Sequence, residues 1–318
     1  DMSRESGWRA DAHMVRYALA AALVRPGDTV LDCACGLGYG SAILAAQSSG
    51  ARFIGIDLDA DTVGYANANF GRQYGVEYRA ASATDLSIIP DDSIDLVVSF
   101  ETIEHLEDYH AFLREAQRVL RPDGRIIASV PNLWVDETGR DPNPYHFHAF
   151  DYPFFRATMA EYFLIEERWA QTAPGGFKMW DSPRTLYPLP VDLPPEACSD
   201  TEWLIVVGSI DPLVKKASRS FHHPAFQREA KQDALSPVAE AGWLVDFAQH
   251  FDNPWLYRPL VQMGERIRDR GVLLDLAART IDSARRDSAD FGAALTVLAY
   301  AMMEEREPAL AGDALALT

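Results

Sequence analysis

The stretch Val30-Leu31-Asp32-Cys33-Ala34-Cys35-Gly36-Leu37-Gly38-Tyr39-Gly40-Ser41 constrains the fold more than any other part of the chain. A short apolar run ends on an acid. Three glycines then alternate through a turn, and an alanine-rich segment follows with apolar residues at helical spacing. Strand, glycine turn and helix in that order mark the edge at which an α/β sheet receives a nucleotide-like ligand. Gly36 and Gly38 permit a tight turn and a close approach of ligand to backbone. Asp32, at the strand's end, is placed to accept hydrogen bonds from a cationic or hydroxylated group.

The pattern repeats downstream. A helix is expected over about 9–24, with Val15, Leu19, Ala22 and Leu23 on one face and Pro26-Gly27 as its stop. It carries His13, Arg16 and Tyr17, and the polar ones read as the solvated side of an amphipathic helix. Strands are expected at about 28–33, 52–57, 76–80, 96–100 and 125–130, with helices between them and a turn at Arg121-Pro122-Asp123-Gly124. Strands alternating with helices predict a doubly wound, mostly parallel sheet covered on both faces. A loop rich in Asn, Pro, His and aromatic residues spans 133–150. A helix near 151–162 and a strand near 164–170 follow. The proline-rich stretch 171–198 reads as irregular, and the apolar run 202–210 as a last strand of the same sheet. Residues 1–210 thus form one domain. Residues 211–236, polar and locally basic with His222 and His223, read as a linker or flap. Residues 237–318 read as a helical extension able to pair two copies into a homodimer.

Composition narrows the partners. The 318 residues carry a net charge of −18, which argues against a nucleic-acid partner and favours a cationic small molecule. No apolar run approaches the roughly 20 residues of a membrane span, and no secretory leader is legible. Residue 1 is Asp, as expected of a trimmed or tagged N-terminus. Three cysteines form no disulfide framework, which points to a reducing cytoplasm. Cys33 and Cys35 lack a second Cys or His pair at zinc spacing, so no metal is expected there.

Carboxyl ends of parallel strands deliver their side chains to one crevice. Asp32, Asp57, Asp85 and the run Ser99-Phe100-Glu101 therefore converge. Asp57 lies about 20 residues beyond Gly36, where an acid can accept both ribose hydroxyls. Asp85 can accept from an adenine amino group, with Leu58 and Ala83 on either side of the base. Asp32-x-x-x-Gly36-x-Gly38, Asp57, Thr84-Asp85, Asp95-Leu96-Val97-Val98, Glu104-His105-Leu106 and Leu120-Arg121-Pro122-Asp123-Gly124 together resemble class I S-adenosylmethionine-dependent methyltransferases. The resemblance covers about residues 10–210. It implies a seven-stranded, Rossmann-like sheet whose seventh strand, Trp203–Ile210, is reversed. It implies S-adenosylmethionine as cofactor, with Asp32 near the methionine amino end and Asp57 on the ribose. The expected cradle is Tyr17, Asp32, Cys33, Gly36, Gly38, Asp57, Leu58, Thr84, Asp85 and Phe100. The competing reading, a nicotinamide-dependent oxidoreductase, wants glycine or alanine where Ser41 stands and gives no reason for Asp85 or Glu104-His105.

Methyl transfer needs an in-line nucleophile and, for a protonated or hydroxyl acceptor, a base. Candidate catalytic residues are His146, Glu101 and His105. Candidate acceptor contacts are Glu104, Asn132, Trp134, Tyr145 and His148. Glu104 and His105 can equally cap a helix or bond backbone. His146 and His148 lack a clear third ligand, so no metal is expected there either. Acidity, carboxylates and an aromatic loop point to a small cationic acceptor. His13-x-x-Arg16-Tyr17 and Gly38-Tyr39-Gly40-Ser41 also resemble bacterial sugar- and antibiotic-modifying methyltransferases. That resemblance implies an aminoglycoside N-methyltransferase of the gentamicin-pathway kind, with O-methylation of a sugar or quinone-like phenol as the alternative.

Overall fold

The computed structural model describes residues 7–133, 138, 141, 143–175, 183–190, 193, 194, 198–215, 252, 253, 256, 260, 267 and 269–304. The chain divides at Ile210/Asp211 into two compact units. In the first, α1 (Trp8–Ala21) precedes β1 (Thr29–Cys33), α2 (Tyr39–Gln47), β2 (Arg52–Asp57) and α3 (Ala60–Ala66). The last runs through a π-turn into α4 (Arg72–Tyr74). Then come β3 (Val76–Ala80), β4 (Ile94–Phe100), α5 (Tyr109–Val119), β5 (Leu120–Pro131), α6 (Tyr152–Ala160), β6 (Leu164–Thr172), β7 (Thr185–Pro188) and β8 (Trp203–Ser209).

These strands form one sheet in the order β3-β2-β1-β4-β5-β8-β6-β7. β1 to β5 are parallel, while β8 runs antiparallel to both β5 and β6. The reversed strand is the one expected, over Trp203–Ser209. The sheet has eight strands rather than seven. The extra one, β7, comes from the proline-rich stretch expected to be irregular. It lies on the sheet edge, pairing antiparallel with β6, where proline at an end costs no ladder bond. Arg184, just before it, reaches Glu202 at 2.7 Å, both fully buried.

Each central strand alternates its side chains between two cores. Leu31, Ile54, Val97 and Ile126 pack with Phe112 of α5 and Phe155 of α6. Val30, Phe53, Leu96 and Ile127 pack on the other face with Tyr17, Leu44 and Val63 of α1, α2 and α3. Asp59 caps α3 by accepting from Asp61 N and Thr62 N, and Asp108 caps α5 by accepting from Ala111 N. The turn expected at 121–124 lies inside β5. Ile94 pairs with Leu120 and Leu96 with Arg125, so the intervening residues bulge out of the ladder. α1 ends at Ala21, a turn earlier than expected from Pro26-Gly27.

In the second unit, α7 (Arg270–Ser283) is capped by Asp269 and α8 (Ala289–Glu304) follows. Leu273, Leu276, Leu295 and Ala299 are buried, and Arg279 bridges Asp211 and Asp275. Of the expected linker and extension, residues 216–251 lie outside the described residues, His222 and His223 among them. No helix among the described residues is long and apolar enough to cross a membrane.

Candidate active site at the carboxyl edge of the sheet

The carboxyl ends of β1, β2, β4 and β5 lie along one edge. Three non-glycine residues adopt positive φ there, one after each of β1, β4 and β5: Ala34 at 56°, Glu101 at 55° and Leu133 at 37°. Left-handed backbone at such residues is costly and gathers at functional sites.

The glycine turn has two sides. Gly38 (φ 83°) faces the protein, where an added Cβ would press on Ala66 and Tyr78. The Tyr78 hydroxyl donates to Gly38 O at 2.6 Å. Gly36 (φ 54°) faces open space, with nothing within 4 Å of an added Cβ. Gly36 N donates to Asp57 Oδ2 at 2.9 Å, and Asp59 N donates to Asp57 Oδ1 at 3.0 Å. Asp57, half-buried, thus fixes the turn with one lone pair on each oxygen and keeps the others available.

Asp32, expected near the methionine amino end, has protein partners of its own. It is buried at the sheet's end, accepting from Ser41 Oγ at 2.6 Å and from the Tyr17 hydroxyl at 3.3 Å. It ties α1 and α2 to β1. Burial pushes its carboxyl up to about 7, the Ser41 and Tyr17 hydrogen bonds opposing and the Asp57 charge adding. Tyr17, also buried, lies edge-on to Phe100 at 5.0 Å. Cys33 is buried in the apolar core between β1 and α5, so its side chain is packing. Leu58 is 77% exposed. Thr84 is half-buried with Oγ1 2.8 Å from Ser82 Oγ. Asp85 is exposed and accepts from Ser87 N at 3.1 Å; the Ser87 hydrogen bonds hold its carboxyl below the usual range.

After β4, Glu101 accepts from Ser129 Oγ at 3.0 Å and from Trp203 Nε1 at 2.8 Å. Arg16 Nη1 lies 3.7 Å from its Oε1. Sequence reasoning missed Arg16, a cation on an apparently ordinary helix. It is fully buried, donates to Gln171 Oε1 at 3.1 Å, and sits over the Trp203 ring at 5.0 Å. Its Nε and Nη2 have no hydrogen-bond partner among the described residues.

The loop after β5 returns to this edge. Leu133 N donates to Phe150 O, and Phe147 N donates to Glu104 O at 2.8 Å. That docking brings His146 to His105, with ring centroids 4.6 Å apart. His105 Nδ1 lies 3.0 Å from Tyr145 O, and His146 Nδ1 lies 2.6 Å from Asp141 Oδ2. Asn143 Nδ2 donates to His146 Nε2 at 2.8 Å. Burial pushes the His105 imidazole down, its Tyr145 hydrogen bond opposing. Glu104 is 1% exposed and neither carboxylate oxygen has a hydrogen-bond partner among the described residues. Burial first, then the Glu101 charge, pushes its carboxyl well up. Asp141 was also missed; its only sequence signal is an acid five residues before His146 in a polar loop.

Other expected acceptor contacts are structural here. Asn132 is buried and donates through Nδ2 to Cys198 O at 2.7 Å and Thr201 O at 2.9 Å. It clasps the end of β5. His148 lies 3.1 Å from Glu107 O and edge-on to Tyr109 at 4.7 Å, which anchors the loop. Tyr145 is 74% exposed. Trp134 lies outside the described residues.

Residues 31–128 match the protein family described as a methyltransferase domain. Over 147 residues the chain is 37% identical to a probable S-adenosylmethionine-dependent methyltransferase of Mycolicibacterium smegmatis, covering 46% of this chain and 54% of that protein. It is 34% identical over 107 residues to a phosphoethanolamine N-methyltransferase of Triticum aestivum, covering 33% of this chain and 21% of that protein. Among solved structures, a putative methyltransferase of Haloferax volcanii, in complex with the Trm112 methyltransferase activator, superposes with a TM-score of 0.47 at 23% identity, over 64% of this chain and 91% of that one. Over residues 31–128 the chain is thus similar to methyltransferase domains, and over a longer stretch to probable S-adenosylmethionine-dependent methyltransferases. It spans about half the length of the curated relatives it matches first.

Proposed function

We propose that the protein transfers a methyl group from S-adenosylmethionine to an amino group of a small cationic, sugar-like molecule, an aminoglycoside being the expected class. The observation that carries the acceptor's charge is Glu104, a fully buried carboxylate without a hydrogen-bond partner among the described residues, close enough to Glu101 to feel its charge. Burial and Glu101 favour its neutral form, so the carboxyl ionises only where a cation meets it, and a cationic acceptor is the partner that would do so. The resemblance to phosphoethanolamine N-methyltransferase supports an amine in particular.

The residues at the sheet edge fit the cofactor. Gly36 leaves open the space that a Cβ would fill, Asp57 keeps a lone pair on each oxygen for a vicinal diol, and Asp85 offers an exposed acceptor for an amino group. The orphaned Nε and Nη2 of Arg16 suit the methionine carboxylate. When bound, S-adenosylmethionine supplies a methyl already activated by its sulfonium.

The chain's part is then to hold the acceptor nitrogen in line and to take its proton. Glu104 grips the cationic acceptor. His146, its Nδ1 oriented by Asp141, is the base. Glu101, fixed by Ser129, Trp203 and Arg16, adds negative field at the acceptor without moving. Orientation of the reacting atoms at about 3–3.5 Å supplies much of the acceleration. The Asp141–His146 pair also suits a hydroxyl acceptor, which makes O-methylation of a sugar or phenol the second reading.

The test is transfer of labelled methyl to a panel of amino sugars, phosphoethanolamine, neutral sugars and phenols. Label on the nitrogen of an amino sugar supports the proposal. Transfer confined to phenols overturns it.

A further inference from the structure

We infer that Glu104, His105 and His146 form a binding site for a divalent transition-metal ion of the zinc or cobalt type. The three come from two segments: the single turn after β4, and the loop that docks on that turn through Phe147 N and Glu104 O. One ligand atom from each lies within 4.8 Å of the other two. His105 Nε2 is 4.0 Å from Glu104 Oε1. Two donors on one tetrahedral zinc ion, at about 2.0–2.2 Å from it, stand about 3.4 Å apart. The trio therefore needs to close by about 1 Å, a movement open to the partly exposed His105 ring.

Two further observations point to a ligand. Glu104 is buried and neither of its oxygens has a hydrogen-bond partner among the described residues. Both imidazoles have Nδ1 committed to an oxygen acceptor, Tyr145 O for His105 and Asp141 Oδ2 for His146. That places the proton on Nδ1 and leaves Nε2 as the coordinating atom. A carboxylate or carbonyl behind the far nitrogen is the outer shell that metal-binding histidines show. Asn143 Nδ2 now engages His146 Nε2, and an ion takes over that lone pair. Two imidazoles and one carboxylate suit borderline divalent ions rather than magnesium or calcium. Three protein ligands leave room for water or for a hydroxyl or amino group of a small molecule. The sequence paired His146 with His148 and found no third ligand; in the fold His148 turns to Glu107 O, and His105 and Glu104 join His146 instead.

The ion shares Glu104 with the acceptor contact proposed above, so ion and cationic acceptor exclude each other. Binding is measured without donor or acceptor, which keeps this inference independent of methyl transfer. The metal-stripped full chain is titrated with Co²⁺, followed by visible d–d absorption and calorimetry, then with Zn²⁺ in competition. The site predicts one equivalent of Co²⁺ displaced by Zn²⁺, without a thiolate-to-metal charge-transfer band. Glu104→Gln and His146→Ala each weaken binding at least about tenfold, and Asp141→Asn about 10–100-fold, as loss of an outer-shell partner does. Circular dichroism establishes that each variant is folded. If His146→Ala unfolds, Glu104→Gln carries the test, because an isosteric amide replaces a carboxylate that burial already disfavours. Absence of stoichiometric binding overturns the inference. So does a thiolate band, which would place the ion on Cys33 and Cys35, or wild-type affinity in folded Glu104→Gln.

Discussion

Asp57→Ala isolates the cofactor cradle. Asp57 spends one lone pair of each oxygen on Gly36 N and Asp59 N, and the proposal gives the remaining two to the ribose diol. Hydrogen bonds to a charged acceptor contribute about 1.5–3 kcal/mol each. Losing two at the lower figure costs about 3 kcal/mol, or about 150-fold in affinity. The substitution also loses both backbone bonds, from Gly36 N and Asp59 N, at about 1–3 kcal/mol of stability for each donor left without its acceptor, which a melt in the absence of ligand reads separately. Calorimetric titration with S-adenosylhomocysteine is the assay, with NAD as the competing ligand. A folded variant that binds S-adenosylhomocysteine within twofold of wild type would refute the assignment. Tight binding of NAD alone by the wild type would refute the cradle altogether.

Other perturbations separate structural from binding roles. Gly36→Ala should cost about 1–2 kcal/mol in stability for its left-handed φ and weaken S-adenosylhomocysteine binding further by filling the open space, whereas Gly40→Ala should destabilise strongly because its Cβ overlaps the Tyr17 ring; melts and titrations of the two distinguish them. Burial pushes the Asp32 carboxyl up to about 7 from its ordinary 3.8, so the folded state holds that proton more tightly. Its contribution is full below about pH 4 and is lost as pH rises to about 7, on the order of 4 kcal/mol at about 1.4 kcal/mol per pH unit; urea unfolding of Asp32→Asn should be flatter than wild type between about pH 4 and 7, and parallel curves would contradict this. Arg184→Ala leaves Glu202 buried without that partner and should cost about 3–5 kcal/mol, read as a fall in urea midpoint. His146→Ala should lower turnover by about 10²–10⁴-fold with S-adenosylhomocysteine affinity retained; unchanged turnover removes it as a base.

Much of the sheet was legible because parallel strands buried on both faces read as apolar runs, and their acids fall at the carboxyl ends. Asp57 and its distance from Gly36 needed no tertiary knowledge. The same reading failed where a residue's neighbours come from afar. Arg16 looks like any arginine on an amphipathic helix until Trp203, Gln171 and Glu101 close over it. Asn132 looks like a polar wall residue until the carbonyls of Cys198 and Thr201 claim it. β7 is four residues at a proline-rich edge, too short for periodicity to register. The Tyr17 and Ser41 hydroxyls that meet Asp32 were not legible either, because they depend on how α1 and α2 pack. The joining of Glu104, His105 and His146 depends on how one loop docks, which spacing does not encode.

The most direct test of the cradle is a crystal structure of the protein with S-adenosylhomocysteine. The ribose hydroxyls are expected on Asp57, the chain running over Gly36, the adenine amino group toward Asp85 and the carboxylate on Arg16. A ligand bound elsewhere, or at this edge with its ribose away from Asp57, would contradict it.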